Sequence, residues 1–159
     1  MALEAALAAV DSLEAASEEA AAAPGSNYKG IGTMNEMTLE EFREITADMM
    51  DELPDIFYKE LNNGVIVQEY AKPHPQRLAD DLYILGEYKR SSSFGKGITL
   101  YYGSFIRMMP YADREEMTRK IREVLRHEFR HHLEGMSGIR ELEVEDDVFL
   151  RNYLNSHSK

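Results

Sequence analysis

The spacing of apolar positions changes period twice along the chain. From Thr38 onward, Leu39, Phe42, Ile45, Met49 and Leu53 recur at the three- and four-residue steps of one helix face, and Thr38 with Glu41 forms a capping-box signature. This predicts a helix to about Glu52, with Pro54 suited to the first turn of a second helical piece carrying Ile56, Phe57 and Leu61. The period then shortens. GVIVQEY (64–70), LYILGEY (82–88) and ITLYYGSF (98–105) are short, rich in β-branched and aromatic residues and bounded by turn formers, as strands are. AKPHPQRLADD divides the first two, and KRSSSFGKG the last two; the latter reads as a flexible connection, either a lid over a site or an ordinary loop.

After Pro110 the helical period returns. Asp113 with Glu116 makes a second capping box, Met117, Ile121, Val124 and Leu125 share one side, and Arg119, Glu123, Arg126 and Arg130 share the other. This long helix should reach about Glu134, where Gly135 and Gly138 stop it, and a last helix should span about Leu142 to Leu154. Three strands with helices before and after them predict an α+β domain.

Residues 1–33 have a different texture, rich in alanine and glutamate and broken at Pro24 and Gly25. They fit either a helix with a thin stripe of Leu3, Leu7, Val10 and Leu13 or a disordered leader, natural or appended, ending near Met34. Either way the folded domain is expected over residues 34–159, a length that builds one core.

Charge and composition narrow the partners. With 18 basic against 29 acidic side chains the formal net charge is -11, a field that repels phosphate backbones and anionic lipid heads, so neither nucleic acid nor membrane is expected as a partner. The amino terminus has acids where a secretory signal has a basic segment, and no apolar run approaches the roughly 20 residues that cross a bilayer, so a cytoplasmic location is expected. The chain has no cysteine, which excludes disulfides and thiolate metal sites; a bound metal must rest on imidazole and carboxylate.

Those donors concentrate in one place. HEFRHHLEG, from His127 to Gly135, holds three of the five histidines and contains HExxH. Side chains four apart on a helix stack one turn above the other, so His127 and His131 can converge on one ion. Glu128 points instead toward the apolar side, where its carboxylate stands beside the ion and can take a proton from water that the ion activates. The competing reading is a charged helix surface with a satisfied glutamate and solvated histidines. Against it stand the strong helical pattern around the motif and the cost of burying a lone glutamate in the apolar stripe. His132 shares the direction of Glu128 and reads as a supporting or surface residue rather than a ligand.

A catalytic zinc ion takes three protein ligands, so one more is needed. Glu134 is nearest, but a regular helix carries it nearly one turn beyond His131. In the last helix Ile139, Leu142, Phe149, Leu150 and Tyr153 define an inward stripe with Asp146 at its centre. Asp146 is the candidate third ligand and Glu143 the next choice; alternatively Asp146 caps a helix that starts later. Tyr101, Tyr102 and Tyr153 could stabilise an oxyanion, but such aromatics also serve as core. Met136, His74 and His157 receive no role.

The motif, the ITLYYGSF strand before it and the opening helix TLEEFREITADMMDELP together resemble the small bacterial zincin-like metallopeptidases, or minimal zincins, over about residues 36–154. The resemblance implies a zincin-like fold, with a small mixed sheet of about three strands packed against helices and HExxH on a long helix. It also implies zinc as cofactor, His127 and His131 as ligands and Glu128 as general base. The chain departs from the family pattern just after the motif: Leu133-Glu134-Gly135 follows, and the usual place of the third ligand holds Ser137. Zinc-dependent peptide-bond hydrolysis is therefore expected, with an extended peptide laid against the ITLYYGSF strand. The alternative is a non-catalytic binding or regulatory module that keeps the scaffold around a structural zinc ion.

Overall fold

The computed structural model describes residues 34–137 and 141–157, with side chains at 34–136 and 148–157. The leader, residues 1–33, lies outside the described residues, as do the glycine stop at Gly138 and the side chains of Glu143 and Asp146.

The opening helix α1, Leu39–Asp51, starts where the capping box predicts: the Thr38 side chain accepts from the Glu41 backbone N–H, and the Glu41 carboxylate accepts from Thr38 N. Its apolar face places Phe42, Ile45 and Met49 in the core. The second helical piece is shorter than the pattern suggests, a single 3-10 turn at Asp55–Tyr58. Phe57 and Leu61 are nevertheless buried.

Among the described residues five strands follow: β1 at Val65–Gln68, β2 at Lys72–Pro73, β3 at Tyr83–Ile84, β4 at Gly86–Ser91 and β5 at Gly95–Tyr101. β1, β5 and β4 form a three-stranded mixed sheet in that order, with β1 parallel and β4 antiparallel to β5; β2 and β3 pair separately as an antiparallel ribbon. KRSSSFGKG is not a loose connection. It continues β4 and β5 into a tight hairpin in which Ser91 pairs with Gly95.

The YGSF end of the third predicted strand is instead a short helix, α2 at Tyr102–Met108. Gly103 explains the switch. Its backbone packs so close to the segment after β1 that an added methyl would lie 2.4 Å from Ala71 N, and Gly103 N–H donates to the Glu69 carbonyl at 3.0 Å. Tertiary contact thus overrides the strand preference of Tyr102.

The long helix α3, Arg114–Ser137, opens on the second capping box, with Glu116 N–H donating to Asp113 Oδ1 and Asp113 N–H to Glu116 Oε2, both at 2.9 Å. It passes through Gly135 rather than ending there. Met117, Ile121, Leu125, Phe129 and Leu133 are all buried. Their spacing of four falls about 40° ahead of each full turn, so the apolar stripe winds around the helix. Phe129 consequently meets Phe57 and Tyr58 edge-on, with ring centroids 5.9 and 5.5 Å apart. The last helix, α4 at Glu141–Ser156, agrees with expectation in extent but not fully in facing: Phe149 of the predicted inward stripe is 63% exposed.

The sheet is two-faced, as an antiparallel pair with one solvated side should be. Ile98 and Leu100 of β5 face the helices, while Tyr101 and Glu87 face the other way, where the Tyr101 hydroxyl donates to Glu87 at 2.8 Å and Lys72 meets the same carboxylate at 2.6 Å. Burial pushes the Glu87 carboxyl upward, but hydrogen bonds from Lys72 and Tyr101 outweigh it and leave the group below its ordinary range. No helix among the described residues is long and apolar enough to cross a membrane.

Candidate functional site

α3 lies along β4, and the two elements match residue by residue. A methyl built on Gly86 would lie 2.7 Å from Val124 Cγ1 and 3.2 Å from Glu128 Cγ; Tyr88 meets His132; Arg90 reaches Gly135. Two strand residues advance about 6.7 Å and four helix residues about 6 Å, so the contacts stay in step. Gly86 lets the helix approach at the level of the motif, which leaves Glu128 buried at 7% exposure.

His132 fixes the register. Its ring is fully buried; Nε2–H donates to the Lys59 carbonyl at 2.7 Å, which leaves Nδ1 to accept from the Tyr88 hydroxyl at 3.1 Å. Burial holds this imidazole below its ordinary pKa, against a smaller opposing effect of the Lys59 carbonyl. Both ring nitrogens are engaged, so His132 supports the motif and is not a ligand.

His127 and His131 lie about 75° around α3 from the line of β4 contacts, on the flank away from Phe129 and Leu133. Their ring centroids are 4.8 Å apart and their planes stand at 85°. Two imidazoles one turn apart suit a borderline-soft divalent ion such as zinc. Glu134 is turned to other work: it is buried at 3% exposure and pairs with Arg130 at 3.5 Å. Among the described residues no third histidine or carboxylate joins the pair. Asp146 and Glu143 have side chains outside that set, so the candidate third ligand is not placed.

The tyrosines considered for an oxyanion are occupied elsewhere. Tyr101 is on the opposite face of the sheet with Glu87, Tyr102 donates to the Met37 carbonyl at 2.5 Å, and Tyr153 donates to Asp81 at 2.7 Å. The expected peptide surface also changes. β5, which contains the ITLY of ITLYYGSF, is the central strand with neighbours on both sides, so it has no edge for an added strand. β4 is the sheet edge beside the motif. The motif's supports Gly86 and Tyr88 were missed in the sequence, although a glycine inside LYILGEY is the usual mark of close backbone approach.

His157 and Asp81 form a second polar cluster at the far end of α4. His157 Nε2 lies 2.6 Å from Asp81 Oδ2, the Tyr153 ring lies 4.3 Å from the His157 ring, and Leu78 N–H donates to the Tyr153 hydroxyl at 3.0 Å. This ties the helix to the segment between β2 and β3.

Residues 62–147 match the family of zincin-like metallopeptidases, a match covering more than half of the chain. A solved structure, a conserved hypothetical protein from Thermus thermophilus, is 34% identical to this chain, aligns over 64% of it and 98% of its own length, and superposes with a TM-score of 0.53. No curated protein matches.

Proposed function

Since the chain belongs to the zincin-like metallopeptidase family, whose members imply a bound metal, typically zinc, we propose that it hydrolyses peptide bonds with His127 and His131 as two of the metal's ligands. The observation that carries this reading is the pair of adjacent imidazoles on α3, centroids 4.8 Å apart, with the buried Glu128 between them in sequence. When bound, zinc supplies Lewis acidity toward a carbonyl oxygen and toward water. Asp146 is the proposed third donor, with Glu143 as its substitute.

The chain's own residues have distinct parts. Glu128, held against Gly86, accepts a proton from the attacking water and returns it to the leaving amine nitrogen. His132 carries no reacting proton; anchored to Lys59 and Tyr88, it holds the α3 turn that presents Glu128. An extended peptide pairs with the outer edge of β4, whose backbone groups orient it along the flank bearing the two histidines.

Ser137, at the family's usual third-ligand position, favours a second reading in which the scaffold binds peptide without cleaving it. A Glu128→Gln comparison separates the two. Hydrolysis predicts that the wild-type, zinc-loaded protein cuts members of a peptide library and that the variant keeps its zinc but does not cut. Equal cutting by both proteins would remove Glu128 from the mechanism, and no cutting by the wild type would leave the binding module.

A further inference from the structure

β4 carries two basic residues of different standing. Lys89 is engaged on the solvent face, 3.4 Å from Glu87 and 3.3 Å from the Tyr101 hydroxyl. Arg90 faces the other way, toward α3, and among the described residues it has no carboxylate partner.

Its placement is specific. A methyl carbon built on Gly135 would lie 3.5 Å from Arg90 Nη1 and 3.9 Å from Tyr88 Cε1, so the guanidinium lies over the helix at a residue with no side chain to displace it. Gly135 is four residues beyond His131 and therefore about 6 Å further along α3, turned about 40° from His131 toward β4. Arg90 also belongs to the edge strand beside the motif. A peptide extended along that edge advances about 3.3 Å per residue, which puts Arg90 about two residues from a carbonyl held at the histidine pair.

We propose that Arg90 is a specificity residue that selects a carboxylate on the bound peptide, about two residues from the scissile bond. The planar guanidinium offers parallel N–H donors that match a carboxylate, and its Nη1 lies over Gly135, which has no side chain to crowd it. The carboxylate can belong to an acidic side chain or to the peptide's own C-terminus. The inference rests on the proposed peptide site, but it concerns recognition and can be tested without turnover.

The test uses the zinc-loaded Glu128→Gln protein and fluorescently labelled peptides in four forms: an aspartate- or glutamate-bearing peptide and its asparagine or glutamine counterpart, each with a free or an amidated C-terminus. Acidic forms are expected to bind about tenfold more tightly than neutral ones, a preference that Arg90→Gln abolishes and Arg90→Lys partly restores. The side-chain pairs and the C-terminal pairs show which carboxylate is read. Equal binding of all four forms, or a preference that survives Arg90→Gln, overturns the proposal. Failure of the parent protein to cleave any peptide would count against the hydrolase reading alone, because the binding preference does not depend on cleavage.

Discussion

Gly86 and Glu128 are packed against each other: a methyl added to Gly86 would come within 3.2 Å of Glu128 Cγ and 2.7 Å of Val124 Cγ1. The glycine is thus what lets the edge strand lie against the helix turn that bears the motif. Gly86→Ala should destabilise the fold by about 1–3 kcal/mol through overpacking, and Gly86→Val by more. Urea unfolding measures the loss. Unchanged midpoints would show that the strand and helix are not in this close contact.

His132 predicts a different behaviour from its neighbours in the motif. His132→Phe retains the ring's bulk but leaves the Lys59 carbonyl and the Tyr88 hydroxyl without their buried partner. The expected cost is about 1–3 kcal/mol of stability, with zinc content unchanged in the protein that remains folded. Loss of zinc with full stability would instead make His132 a ligand.

The contact between α4 and the segment before β3 should depend on pH. Hydrogen bonds from His157 to the Tyr153 carbonyl and to Asp81 raise the His157 pKa above its ordinary value, and hydrogen bonds from Tyr153 and His157 lower that of Asp81. The histidine's contribution is complete below its ordinary pKa of 6.5 and fades as pH rises through the raised value. The aspartate's contribution is complete above 3.8 and fades as pH falls through the lowered value. The contact is therefore strongest between these limits. An NMR titration of His157 should show the raised pKa, and Asp81→Asn should bring it down; an unchanged titration in that variant would refute the pairing.

Much of this was legible in the sequence because local rules and tertiary needs agree there. Both capping boxes begin helices where Thr38 and Asp113 predict them, since a cap is a contact among residues three apart. The HExxH spacing likewise fixes which side chains share a flank of α3. Three features were not legible because they depend on partners distant in the chain. Gly103 turns a strand-like run into a helix by packing on Ala71, Gly135 serves Arg90 rather than stopping α3, and β5 proved central because β1 pairs with its other side. Phe149 fits an inward stripe by periodicity, yet faces outward.

Glu128→Gln should lower peptide cleavage by about 100- to 10,000-fold, the usual worth of a positioned proton acceptor, while leaving the far-ultraviolet circular dichroism spectrum and the zinc content as they were. Parallel loss of zinc would assign Glu128 a binding role instead.

The central claim is that His127 and His131, with ring centroids 4.8 Å apart, hold a zinc ion. Metal analysis of the purified protein beside a His127→Ala, His131→Ala double variant of the same chain tests it directly. The wild type should carry about one zinc ion per chain and the folded double variant almost none. Equal zinc in both proteins, or none in either after exposure to zinc, would contradict it.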